Sequence, residues 1–192
     1  MSTREERLIS HFRKIFQELG VDLNDADFKE TPDRLMKMYK EMFDPSPPPK
    51  VTLFPNKSKE SELILVKNID VVLVCPHHLV FVYPGTVHVG YVPDEYLVGL
   101  SKIARIATWL AKPPKTQEDY TQELSDFLMK LIRPKGVMVI ADFAHGCMRC
   151  RGTNQRRSTT ITSSIAGVFA KPPKGKNPRE EMLELLKLSR NE

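Results

Sequence analysis

Two hydrophobic patterns alternate along the chain, one with helical spacing and one made of short extended runs. Helical spacing of apolar residues predicts helices over residues 3–20, 31–43, 94–111, 116–134 and 178–188. At the first of these, Thr3 and Glu6 predict a capping box, and Gly20 suits the left-handed residue that ends a helix. Thr116 is placed to cap the fourth helix. The helices therefore form an N-terminal group, a central pair and a C-terminal element.

Short runs rich in β-branched residues, separated by Pro, Gly, Asn and Asp, predict strands between the helices. The runs are residues 51–54, 63–66, 71–75, 79–83, 87–92, 137–144 and 158–169. The last two are expected to pair antiparallel, and residues 145–151 are expected to continue the extended conformation. Prolines at 45, 47, 48 and 49 make a stiff connector before the first strand. The order of elements predicts an α+β fold.

Composition narrows the class of protein. The chain has 192 residues, of which 41% are hydrophobic and 28% charged, as in an ordinary globular protein rather than a disordered one. Three cysteines cannot close a disulfide framework, and no apolar run approaches the roughly 18 residues of a membrane span. The charged N-terminus lacks the apolar stretch of a signal peptide. We expect a cytoplasmic protein that neither enters a membrane nor binds one.

The net charge of +5 is modest and changes this picture only slightly. It favours an anionic partner such as a phosphate-rich small molecule. Spread over the chain, it is too weak for a nucleic-acid footprint, so no nucleic-acid partner is expected.

Candidate metal ligands fall in two short segments, residues 75–78 (Cys-Pro-His-His) and 145–147 (His-Gly-Cys). Cys75 and His78 have the spacing at which two side chains can reach one ion from a turn, and Cys147 could add a third ligand. A Cys₂His set with an open fourth position is typical of catalytic zinc, which lowers the pKa of its water to about 7. The alternative is that each cysteine is a small hydrophobic residue in a strand.

Cys150 decides whether such a site is open or closed. In an extended segment Cys147 and Cys150 point to opposite faces, so that only Cys147 reaches the ion. A tight turn would instead bring both sulfurs to the metal and close the site.

Several basic residues are placed to bind phosphate. Lys102 and Arg105, with Ser101, share one face near the start of a predicted helix. Along an extended strand Arg151 would point to the same side as Cys147, so that a metal ligand and a phosphate clamp would face one cleft. The alternative for the helical residues is a solvated helix face.

These residues, in this order, resemble the GTP cyclohydrolase I family over nearly the whole chain. The matching motifs are Thr31–Arg34, Lys37–Tyr39, Cys75–His78, Gly90–Pro93, Gly99–Arg105, Gln117-Glu118, His145–Cys147 and Arg151-Gly152. Three features depart from the family pattern. Pro76 replaces a usual Glu, Leu79–Val82 replaces a usual Val-Pro-Phe, and Cys150 is an extra thiol near the expected metal.

The resemblance implies a tunnelling fold, in which antiparallel sheets of several subunits close into a barrel with helices outside. Residues 1–50 would be an N-terminal helical segment with a Pro-rich connector, and residues 51–192 the catalytic domain. It also implies a toroidal homodecamer with active sites between subunits. The reaction would convert GTP into 7,8-dihydroneopterin triphosphate and formate, feeding pterin, folate or deazaguanine synthesis.

The resemblance assigns a role to each matching residue. The zinc ligands would be Cys75, His78 and Cys147. The acid–base histidines would be His77 and His145. Guanine would be bound by Glu118 with Gln117 beside it. The triphosphate would be bound by Ser101, Lys102, Arg105 and Arg151, with Arg34 contributed from a neighbouring subunit.

Two rival functions stay open at the level of sequence. The nitrile reductase of queuosine synthesis has a similar fold but uses NADPH and a catalytic cysteine without zinc. A zinc-stabilised RNA-binding module could close a Cys₃His site with Cys150. Against it, the chain has no basic stripe with interleaved aromatic residues, and its one tryptophan, Trp109, lies in a predicted helix.

Overall fold

The computed structural model describes residues 3–43, 46–59 and 61–188. It divides the chain into two units, Met1–Pro45 and Ser46–Glu192. The first unit contains helices α1 (Arg4–Glu18) and α2 (Thr31–Phe43), which pack against each other.

The ends of α1 follow its sequence signals. Thr3 Oγ1 accepts a hydrogen bond from the Glu6 amide at 3.1 Å, and the Glu6 carboxylate accepts one from the Thr3 amide at 2.7 Å. Gly20 is left-handed, with φ of +74°. The predicted capping box and helix end are both confirmed.

The described residues of the second unit contain seven strands. They are β1 (Leu53–Pro55), β2 (Ile64–Asp70), β3 (Leu73–Val74), β4 (Phe81–Val92), β5 (Tyr96–Val98), β6 (Gly136–His145) and β7 (Thr160–Gly167). The main sheet has the order β2-β4-β6-β7, with β3 also paired to β4, and every pairing is antiparallel. Strands β1 and β5 form a separate two-stranded sheet. The predicted α+β class and the pairing of the last two strands are confirmed.

Within its described part, this unit also has four helices, namely α3 (Leu100–Leu110), α4 (Gln117–Ile132), α5 (Gly146–Arg149) and α6 (Pro178–Leu188). Helix α4 packs on β6 and β7, and α3 packs mainly against α4 and β2. Alternate residues of β6, such as Val139 and Phe143, are buried in the core that includes residues of these helices, whereas Met138 joins a smaller cluster with Met182 of α6. Within the described ranges, no helix has the length and apolar character needed to cross a membrane.

Two predicted boundaries are wrong. The runs 79–83 and 87–92 are one strand, β4, because the sheet absorbs Pro84 and Gly85 as a register irregularity between Val82 and Gly85. The helix expected from residue 94 begins at Leu100, because residues 96–98 pair with β1 instead. In both cases a pairing partner distant in sequence overrides the local signal.

Candidate metal centre and active site

The first half of the candidate metal site is a tight turn between β3 and β4. The Cys75 amide donates to the Val80 carbonyl at 3.0 Å, and the Leu79 amide donates to the Cys75 carbonyl at 2.9 Å. Leu79 takes the left-handed conformation that the turn needs, with φ of +52°. The turn brings Nδ1 of His77 to 3.7 Å and Nδ1 of His78 to 4.0 Å from the Cys75 sulfur.

The second half follows the end of β6. The expectation that residues 145–151 stay extended is wrong, because the chain turns into α5 directly after His145. The turn is possible because Gly146 lies against the start of β4. A Cβ atom there would lie 2.5 Å from the Phe81 carbonyl oxygen and 2.6 Å from Cγ1 of Val80. Only glycine allows this approach, which brings Cys147 next to Cys75.

Three side chains of these two segments form a group that could hold a metal ion. One ligand atom from each of Cys75, His78 and Cys147 lies within 4.8 Å of the other two. Thiolate and imidazole ligands suit zinc. Burial, followed by the neighbouring Cys75 thiol, raises the pKa of Cys147, and the Arg151 guanidinium acts in the opposite direction.

Cys150 is exposed and is not a member of this group. We expected Cys150 to lie apart from the ligand group because the segment would be extended. The two thiols are separated as expected, but residues 146–149 are helical, so the expected cause is wrong.

His145 lies at the end of β6, where the N-terminus of α4 faces it. Its Nε2 atom is 2.8 Å from Oε1 of Gln117, the first residue of α4. Thr116 caps this helix, as predicted, by accepting a hydrogen bond from the Asp119 amide. Burial lowers the pKa of His145, and the Glu118 carboxylate acts to raise it. Glu118 itself is exposed.

The single chain thus brings one set of candidate residues together around the end of β6: Cys75, His77, His78, Gln117, Glu118, His145, Cys147 and Arg151. Arg151 is exposed and follows α5, close enough for its charge to act on Cys147. The remaining candidates lie elsewhere in the fold. Ser101, Lys102 and Arg105 are in the first turns of α3. Arg34 lies in the first unit, where its guanidinium pairs with Glu30 at 2.9 Å.

The sequence argument missed the roles of two residues in this site. Gly146 could have been noticed because it lies between two candidate functional residues in the sequence. Nothing in the sequence pointed to Thr162, because its contact with Gln117 joins residues 45 positions apart.

The fold and the site together define a class, an α+β enzyme in which side chains that could bind a metal and a partly buried histidine meet at one end of an antiparallel sheet. The family model described as GTP cyclohydrolase I matches residues 8–187. The chain therefore belongs to the GTP cyclohydrolase I family, as its motifs indicated. It is an enzyme with GTP cyclohydrolase activity, the first step of pterin biosynthesis.

Curated relatives agree with the family match. The chain is 39% identical to GTP cyclohydrolase 1 of Aeromonas salmonicida (strain A449) over 96% of its own length and 84% of the relative. It is 39% identical to the Vibrio cholerae protein of the same name over 88% and 80% of the two chains. The Salmonella gallinarum protein of that name is 37% identical over 96% and 83%. Among solved structures, the apo form of the archaeosine synthase QueF-Like aligns with a TM-score of 0.45 at 14% identity, over 55% of this chain and 94% of that one.

Proposed function

We propose that the protein converts GTP into 7,8-dihydroneopterin triphosphate and formate at a zinc site formed by Cys75, His78 and Cys147. The main observation behind the proposal is that one ligand atom from each of these residues lies within 4.8 Å of the other two. His145 is two positions before Cys147 in the sequence. The donor set fits zinc, and three protein ligands leave a coordination position for chemistry. When bound, zinc supplies Lewis-acid chemistry and a nucleophile derived from water at neutral pH.

His77 and His145 are proposed to move the protons of the reaction. Opening the imidazole ring of guanine at C8 requires a proton on N7, and opening the ribose requires a proton on its ring oxygen. Histidine is the side chain that exchanges protons near neutral pH. His77 lies beside the Cys75 sulfur, and His145 is the last residue of β6, two positions before Cys147, which supports this pair of roles.

Glu118 is proposed to select guanine. A carboxylate can accept hydrogen bonds from both N1–H and the 2-amino group of guanine, whereas adenine does not offer that pair of donors. Glu118 is exposed in the first turn of α4, and its charge acts on His145. A base held by Glu118 would therefore lie next to the histidine that acts on it.

Basic residues are proposed to bind the triphosphate. Arg151 lies next to the metal-binding cysteines, where a guanidinium can bind phosphate oxygens in a bidentate manner. Ser101, Lys102 and Arg105 present a polar face on α3. Arg34 is proposed to complete the pocket of a neighbouring subunit.

The tunnelling fold and the toroidal homodecamer are also proposals. The main sheet ends in β2 and β7, whose outer edges can pair with strands of other subunits to close a barrel. Large apolar side chains near this sheet are exposed in the single chain, with Ile161 of β7 at 62% and Tyr83 of β4 at 58%. Size-exclusion chromatography with light scattering tests this directly. A decameric mass supports the assembly, and a monomeric mass contradicts it.

The substrate is tested by incubating the zinc-loaded protein with GTP or ATP and oxidising the products. Pterin fluorescence with GTP and none with ATP supports the proposal. Absence of pterin fluorescence with GTP, while zinc remains bound, would refute it. Oxidation of NADPH with a nitrile substrate would instead indicate the reductase alternative.

A further inference from the structure

Gln117 is buried, with 1% of its surface exposed, and its side-chain amide is fully engaged within the chain. Nε2 donates to the Ala141 carbonyl at 3.0 Å, to the Thr160 carbonyl at 2.8 Å and to Thr162 Oγ1 at 3.0 Å. These three acceptors share two hydrogens. The amide nitrogen therefore has no donor left for a substrate.

The two carbonyls fix which way the amide points. A backbone carbonyl can only accept, so the NH₂ group of Gln117 must face Ala141 and Thr160, and Oε1 must face His145. The flipped amide would place its oxygen against two carbonyl oxygens, which repel it, and its NH₂ group would lose both of these acceptors.

This orientation of the Gln117 amide also determines which ring nitrogen of His145 carries a hydrogen. Oε1 of Gln117 can only accept, so Nε2 of His145, 2.8 Å away, must carry the hydrogen. In the neutral ring the lone pair is then on Nδ1.

A ring of hydrogen bonds holds Gln117 in place. The Thr121 hydroxyl donates to the backbone carbonyl of Gln117 at 2.7 Å, so it accepts from the Thr162 hydroxyl, also at 2.7 Å. Thr162 Oγ1 in turn accepts from the Gln117 amide. The contacts tie α4 to both β6 and β7, which leaves the amide little freedom to rotate.

We infer that Gln117 is a positioning residue for the reaction, which holds His145 in the Nε2–H tautomer and so makes Nδ1 the nitrogen that exchanges protons with substrate. Gln117 then contacts no guanine, and the guanine-reading role falls to Glu118 alone. The inference rests on the proposed function, since it assigns His145 an acid–base role toward GTP.

Two variants separate positioning from substrate binding. Gln117→Met removes every hydrogen bond of the side-chain amide. Gln122→Met is the control, because Gln122 is on the same helix and accepts from Ser164 of β7 at 3.2 Å.

We expect Gln117→Met to lower kcat at least tenfold with little change in KM for GTP, since a misplaced acid–base group typically forfeits factors of about 10²–10⁴. Gln122→Met should resemble the wild type. A rise in KM with unchanged kcat would show that Gln117 binds substrate. Loss of kcat in Gln117→Met with the His145 ring still in the Nε2–H tautomer would show a merely structural role. Either result overturns the inference.

A spectroscopic measurement tests the tautomer without any turnover. In ¹⁵N-histidine-labelled protein at about pH 8, where a neutral ring is expected, solid-state NMR distinguishes the two neutral tautomers. The His145 signal is assigned by its loss in His145→Asn. We expect Nε2–H in the wild type and a mixture in Gln117→Met. Nδ1–H in the wild type would refute the inference even in an active enzyme, whereas an inactive wild type with Nε2–H would refute only the proposed function.

Discussion

Gly146 and Phe81 approach so closely that a Cβ atom on Gly146 would lie 2.5 Å from the Phe81 carbonyl oxygen. This contact fixes α5 against the start of β4, and it thereby sets the distance between the two cysteines of the metal group. A backbone contact between two residues that are not ligands thus shapes the site.

Gly146→Ala should weaken metal binding at least tenfold, because backbone must move and the move separates Cys147 from Cys75. The overpacking should also cost about 1–3 kcal/mol of folding stability. Zinc affinity by competition with a chelator measures the first effect. Gly175→Ala is the control, since it adds a Cβ at a strained φ of +78° with no atom within 4 Å. Unchanged zinc affinity in Gly146→Ala would show that the contact does not set the site.

Cys150→Ser should retain one zinc per subunit and near-normal activity, because Cys150 is exposed and outside the metal group. Cys147→Ser should lose both, because a hydroxyl is a poor zinc ligand. Metal content by mass spectrometry checks the pair of variants. Comparable zinc loss in both would indicate a closed Cys₃His site and contradict the catalytic assignment.

Glu118→Ala should abolish most GTP turnover while zinc stays bound. Loss of charge-assisted hydrogen bonds to guanine is worth roughly 2–3 kcal/mol. The Glu118 carboxylate is exposed, so its removal should not disturb the core. Steady-state kinetics and metal analysis are measured together. Asp119→Ala, the neighbouring exposed carboxylate, should behave like the wild type. Equal turnover of GTP by Glu118→Ala and the wild type would contradict the assignment of Glu118 to guanine binding.

Sequence signals succeeded here where the interactions are local. The capping box of Thr3 and Glu6 and the cap at Thr116 join residues three apart, so the ends that they mark were predictable. The failures involve distant partners. Residues 96–98 became a strand because Leu53–Pro55 lies beside them, and residues 146–149 became helical because Gly146 meets Phe81.

The group of side chains that could hold a metal ion was predictable, because residue type and spacing indicate coordination chemistry. The tautomer of His145 was not, because it depends on carbonyls of Ala141 and Thr160 that no sequence pattern pairs with Gln117.

Tyr120→Phe should lower the free energy of unfolding by about 1–2 kcal/mol near neutral pH. The buried Tyr120 hydroxyl donates to the Ala107 carbonyl at 3.0 Å, and Phe keeps the edge-to-face contact with Phe143. Urea unfolding of both proteins measures the difference.

The same pair of proteins gives a pH dependence with a definite sign. Burial raises the pKa of Tyr120 above its usual range. Above about pH 10 the tyrosine ionises in the unfolded chain but not in the folded one. The free energy of unfolding of the wild type therefore falls towards that of Tyr120→Phe as the pH rises. If the difference in free energy of unfolding between the two proteins stays constant from neutral to alkaline pH, the raised pKa of Tyr120 is contradicted.

The most direct test of the catalytic zinc assignment is formate release from GTP by the metal-stripped protein before and after zinc is restored. Cys147→Ser is treated identically as the matched control. The account predicts no formate without zinc, formate equimolar with consumed GTP once zinc is added, and none from the variant. Formate release by the stripped protein, or by Cys147→Ser, at the rate of the zinc-restored wild type would contradict it.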